Sequence, residues 1–324
     1  MLALSNYYEG KYNSAFSMPL WDSCGQFGAD QASTMNIKVL NRNTFKKIYA
    51  TICEHVPGLS KADALRYLNN IDSTGACSYT NILNQIYQLF AGGDELFKRV
   101  FGYDKYIEYY DGSKQLNDAQ LLADFYTFAN KSNKALFDQD KYYNFYYKEV
   151  KDHYKQNYMN TIDSMDTDTI ERFLNYKLQK AGLNSTNVLS SNIYHSYDHR
   201  KLDVYTLKTK IMKSLENNST VSISAFSLIG TDKCFYMYMG NAKTHRYDIK
   251  YDTAIEWGRN DSSREGGLDN VSQNKMPGHA MTITGLSNEG LIVSSWGKQF
   301  FIPYSGLEKA YKFVIQDLHF SGLK

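Results

Sequence analysis

The chain of 324 residues has a formal net charge of +2, with 43% hydrophobic and 22% charged residues. That suits one large globular domain or two lobes around a sizeable core. The near-neutral charge carries no footprint of a nucleic-acid or membrane-surface partner, and no run of about 18 apolar residues marks a membrane span.

Residues 1–40 are rich in Tyr, Asn and Gly with weak periodicity, and predict surface loops with a short helix. Met1 to Tyr8 lacks the basic start and apolar core of a signal peptide, which leaves the compartment open between cytoplasmic and secreted. Asn43 reads as the N-cap of a helix over 44–52, and Pro57-Gly58 ends it. Ser60 with Asp63 is a weak capping box for a helix through Leu65 and Tyr67. After an Asp-Ser-Thr-Gly turn, Cys77 opens a strongly helical stretch. Ile82, Leu83, Ile86, Leu89 and Phe90 line one apolar face, and Gly92-Gly93 stops it. That face predicts a central, buried helix.

Asp94 to Phe101 predicts a short helix, Asn117 caps another through Phe128, and a third starts at Asp166/Thr167 and ends at Gly182. The tyrosine-rich stretch 131–165 has no readable order, and 184–202 reads as a loop. Thr206 to Asn217 is a helix. The period then changes to two: strands are expected over Val221–Phe226, Cys234–Met239, the His279 segment, the Val293 segment, Gln299–Pro303 and Tyr311–Asp317. The polar insertion 241–275 is long enough to be a functional loop. The expected class is α+β, a helical N-terminal part packed on a C-terminal antiparallel sheet. The division is an extension over 1–60 and a domain over 61–324, helical over 61–217 and β-rich over 218–324.

The four cysteines are Cys24, Cys53, Cys77 and Cys234. None forms a CxxC pair, and a chain of this length needs no disulfides, so they read as mostly free thiols. Cys77 stands at the tip of a core helix, where the partial positive charge of the free N–H groups favours thiolate. The bland alternative is a small buried hydrophobe. Pro277-Gly278-His279 opens an apolar strand, a Ser-Asn-Glu-Gly turn follows, and a second strand delivers Ser294, Ser295 and Trp296 beside the histidine. A thiol on a helix tip and a base on a distant strand is how a spatially assembled Cys/His site looks in a sequence. His195 and His199 lack a third ligand with motif spacing, so neither a metal nor another cofactor is expected.

Gly278-His279-Ala280 with Leu291 to Gly297 resembles the Gly-His-Ala … Asn-Ser-Trp-Gly region of papain-like cysteine peptidases, in a divergent bacterial form. The Cys77 helix resembles the family's nucleophile helix, and the order Cys77, His279, Ser294 is the papain order. The resemblance covers about half the chain, chiefly that helix and 206–317, and does not extend to 1–60, 100–200 or 241–275. The resemblance implies a papain-like fold and hydrolysis of a peptide or isopeptide bond in a protein or peptide substrate, through an acyl-enzyme on Cys77 with His279 as base. Ser294 then stands where the family's Asn orients the histidine, Trp296 shields that contact, and Asn69 or Asn70 is the nearest amide to serve the oxyanion. Three features depart from the family: Ser294 in place of Asn, Ile71 where a Gln is usual, and no Cys-Gly-Ser-Cys-Trp around Cys77. Trp21-Asp22-Ser23-Cys24-Gly25-Gln26 makes Cys24 a rival nucleophile, but the residues after it form a poor buried helix, and Cys77 is preferred. Three other readings stay open. The first is a binding scaffold without activity. The second is a deamidase, transglutaminase or acyltransferase on the same fold. The third is a precursor in which 1–40 covers the cleft. Oligomeric state is not legible.

Overall fold

Helical periodicity dominates the first two thirds of the chain and alternation the last third, and the fold follows that division. The computed structural model describes residues 16–17, 42–65, 77–90, 93–108, 114–131, 167–183, 187–197, 201–217, 219–226, 236–239, 254–256, 278–295 and 298–321. It is a mixed helix and antiparallel-sheet protein, of α+β class.

In chain order, β1 (Phe16–Ser17) precedes α1 (Arg42–His55), α2 (Cys77–Leu89) and α3 (Asp94–Phe101). A small hairpin, β2 (Tyr106–Glu108) and β3 (Lys114–Leu116), leads to α4 (Asp118–Asn130) and α5 (Thr167–Lys180). Then come β4 (Asn187–Tyr197), α6 (Val204–Glu216), β5 (Thr220–Phe226), β6 (Tyr236–Met239) and β7 (Ala254–Glu256). The chain closes with β8 (Gly278–Leu286), β9 (Gly290–Ser295), β10 (Lys298–Pro303), α7 (Tyr304–Glu308) and β11 (Lys312–Ser321). The main sheet runs β4-β11-β5-β8-β9-β10-β6-β7, with β1 paired to the end of β8.

One apolar cluster joins the helices. Ile48 and Ile52 of α1, Ile82, Leu83 and Ile86 of α2, Phe97 of α3, Phe125 of α4 and Phe173 of α5 are all buried in it. The helix α1, assigned from sequence to an N-terminal extension, packs in the same cluster as α2 to α5. A second cluster lies on one face of the sheet, where Leu207, Ile211 and Leu215 of α6 cover Val221, Ile223, Met281 and Ile283. The helix α2 packs on β5 and β8.

A buried carboxylate ties three helices. Asp124 of α4 is fully buried and meets His55 of α1 and Lys177 of α5, each at 2.6 Å. It also accepts from the Tyr103 hydroxyl at 2.9 Å. Burial, then the Asp124 charge and hydrogen bond, push the Tyr103 phenol well above its ordinary value.

Several local expectations hold. Asp63 N donates to Ser60 Oγ ahead of a helical turn over 61–65, as a capping box requires. Gly58 and Gly182 have positive φ where helices end. Asn117 precedes α4, but its amide donates to Asp104 O and Gln120 Oε1 instead of capping the helix.

The stretch 184–202 corrects the loop reading, because β4 occupies Asn187–Tyr197. Among its described side chains, over 188–196, only Val188 is buried and Leu189 is 56% exposed, so no alternation shows. As an edge strand it takes its register from β11. Its outward N–H groups are met by α5 side chains: Glu171 accepts from Ser190 N at 2.6 Å and Asn175 from Val188 N at 3.4 Å. Covering the edge in this way blocks pairing with another chain. The insertion 241–275 also contains β7.

Candidate functional site

The helix expected to carry the nucleophile forms with Cys77 as its first residue. The Cys77 side chain lies outside the described residues, as do Asn69, Asn70, Trp296, Cys24, Cys234 and His199. Cys53 is half-buried in α1, and His195 lies exposed on β4. Among the described residues no group of His, Cys, Asp or Glu is arranged to hold a metal ion, and no helix is long and apolar enough to cross a membrane.

The apolar face of α2 enters the helical core as its periodicity predicts. The opposite stripe is polar and also buried: Asn81, Asn84, Gln85 and Gln88 are at most 6% exposed. That stripe meets a row of hydroxyl side chains on the sheet. Thr282 Oγ1 of β8 donates toward Asn81, 2.7 Å from Oδ1 and 3.1 Å from the carbonyl oxygen. Thr220 Oγ1 of β5 donates to Gln85 Oε1 at 3.2 Å.

These two contacts fix the direction of α2. From Asn81 to Gln85 the helix advances about 6 Å. From Thr282 to the level of Thr220, one residue beyond the Val221–Ile283 pair, the sheet advances about 7 Å. The helix therefore runs with β8 while crossing toward β5. One turn back from Asn81 brings Cys77 to the Gly278–Ala280 end of β8, the end that carries His279.

His279 is 2% exposed. Its Nε2 lies 2.6 Å from Ser295 Oγ. Burial pushes its pKa down to about 3, because an imidazolium there loses its hydration. The ring is neutral at ordinary pH.

The sequence pattern singles out Ser294 as the partner, and the structure puts Ser295 there. The reason is a bulge. The hairpin pairs Leu286 with Leu291 and Gly285 with Ile292, but then Ile283 with Val293 and Thr282 with Ser294. Thr284 is the extra residue, and its hydroxyl donates to Ile292 O at 3.4 Å. Without the bulge Ser294 would stand opposite Ile283, on the His279 face. With it, Ser294 shares the face of Thr282, and Ser295 shares the face of His279, Met281 and Ile283. Ser294 is fully buried and pairs with Thr282.

The same alternation sets His279 on the face of the second apolar cluster, while α2 meets β8 through Thr282. His279 and α2 therefore lie on opposite faces of β8, and they share only the strand's Gly278 end. No hydrophobic periodicity announced the polar stripe of α2. Its signal in the sequence is a run of amides, Asn81, Asn84, Gln85 and Gln88, at helical spacing.

No protein-family model matches the chain, and neither the curated proteins nor the solved structures contain a match.

Proposed function

We propose that the chain is a thiol-dependent hydrolase of papain-like arrangement, cleaving a peptide or isopeptide bond with Cys77 as nucleophile and His279 as base. The observation that carries this reading is the buried His279–Ser295 pair at the head of β8, the strand on which the Cys77 helix packs.

In this account Nε2–H donates to Ser295 Oγ, which leaves Nδ1 free of its proton to act as base. Nδ1 takes the Cys77 thiol proton as sulfur attacks the carbonyl carbon. Free N–H groups at the helix tip stabilise the oxyanion, with Asn69 or Asn70 as a side-chain donor. The imidazolium returns its proton to the leaving amine as the C–N bond breaks, giving a thioester. Water then gives a proton to Nδ1, attacks the thioester and releases the acid and the free thiol. Burial keeps His279 neutral at rest, so in this account the proton moves during attack, and the imidazolium needs the charge that develops beside it, or entering water, to hold that proton.

A second reading, a papain-like scaffold that binds and does not cleave, is favoured by one observation. His279 points to the second apolar cluster and is 2% exposed. Hydrolysis of a mixed fluorogenic peptide library by wild type, Cys77→Ala and His279→Ala separates the two. The hydrolase reading expects turnover in the wild type and its loss in both variants. Turnover that survives Cys77→Ala, or no turnover and no Cys77-dependent labelling by a peptidyl chloromethyl ketone, contradicts it.

A further inference from the structure

The interface between α2 and the sheet is held differently from the two cores on either side of it. Apolar side chains in contact tolerate small slides, because dispersion and burial are non-directional. A hydrogen bond does not, since it weakens steeply with misalignment. The amide stripe of α2 is tied to two fully buried hydroxyls of the sheet, Thr220 and Thr282. Buried groups of this kind are costly unless satisfied, so the Gln85–Thr220 and Asn81–Thr282 bonds define one axial position of the helix. Of these, the contact nearest the proposed site is Thr282 with Asn81. Asn81 lies one helical turn after Cys77, and Thr282 three residues after His279 on an unbroken stretch of the β5–β8 ladder.

We propose that Thr282 is a positioning residue for the site: its hydroxyl, held on Asn81, sets the distance and phase of Cys77 relative to His279. This inference rests on the hydrolase reading above. Thr282 touches neither the thiol's substrate nor the reacting atoms and acts through α2. Removing the hydroxyl while keeping the volume frees the helix to shift along the strand, and a misplacement of that size at a nucleophile–base pair costs about tenfold or more in rate. Serine keeps the hydroxyl and restores the tie.

The test is the rate of Cys77 alkylation by iodoacetamide as a function of pH, mapped by mass spectrometry, in wild type, Thr282→Val, Thr282→Ser, Asn81→Leu and His279→Ala. The expected result is loss of Cys77 preference and a changed pH profile in Thr282→Val, with the wild-type profile in Thr282→Ser. Asn81→Leu, which removes the side-chain acceptor from the helix, behaves like Thr282→Val and serves where Thr282→Val does not fold. A wild-type profile in both Thr282→Val and Asn81→Leu, with the preference lost in His279→Ala, overturns the positioning role and leaves the Cys77–His279 pair standing. A wild-type profile in His279→Ala overturns the pair, and the positioning role with it.

Discussion

His279 Nε2 and Ser295 Oγ lie 2.6 Å apart on neighbouring strands, on the face opposite to Thr282 and Ser294. The Thr284 bulge decides this pairing. Ser295→Ala removes a buried hydrogen bond and is expected to destabilise the protein by about 1–2 kcal/mol. It also shifts the His279 ring resonances and slows Cys77 labelling. Ser294→Ala leaves those resonances in place. NMR of imidazole-labelled protein reads both. A larger shift in the Ser294 variant would place the orienting hydroxyl one residue earlier.

The buried imidazole makes a signed prediction for pH. Folded His279 takes a proton only near pH 3, while the unfolded chain takes one near 6.5. Between those values the unfolded state binds the extra proton, so stability falls as pH drops from 6.5 toward 3 and is independent of this group above 6.5. The full slope is about 1.4 kcal/mol per pH unit. Urea unfolding of wild type and His279→Gln from pH 4 to 7 should diverge in that direction. A resting thiolate–imidazolium pair, with the folded pKa above 6.5, would leave this contribution flat below 6.5 and make stability fall as pH rises above it.

Asp124 holds His55, Lys177 and Tyr103 inside the helical core. Asp124→Asn leaves the buried Lys177 ammonium with Glu54, 3.6 Å away and partly exposed, as its carboxylate partner, and is expected to cost about 3 kcal/mol. Asp124→Leu combined with Lys177→Met removes both charges and should cost less than the single change. Denaturant midpoints measure both. A loss under about 1 kcal/mol in Asp124→Asn would show that the pair is not desolvated.

The β4 edge gives a prediction about association. Glu171 and Asn175 occupy the outward N–H groups of Ser190 and Val188. The double change to Ala uncovers them, and the strand carries no Lys, Arg, Asp, Glu or Pro to discourage pairing. Light scattering over a concentration series should show increased self-association in the double variant. Unchanged scattering would mean that other groups cover the edge.

Strong periodicity was legible and its absence was not. The Cys77 helix and the β8–β9 hairpin were placed from their own residues, because each has a deep apolar face with the right spacing. The strand β4 was missed because an edge strand with one buried residue has no alternation to read. The polar stripe of α2 was missed because Asn81, Asn84, Gln85 and Gln88 look like a solvated face until the hydroxyl row of the sheet is set against them. Ser294 was preferred to Ser295 because a bulge is not visible in the spacing of a motif. One extra residue at Thr284 exchanges the faces of every residue beyond it.

The most direct measurement is substoichiometric iodoacetamide labelling near neutral pH, mapped by mass spectrometry on wild type and His279→Ala. The account predicts that Cys77 labels ahead of Cys24, Cys53 and Cys234, and that its lead falls by about tenfold or more without the base. Preferential labelling of Cys24, or equal slow labelling of all four thiols in both proteins, would contradict the Cys77–His279 pair.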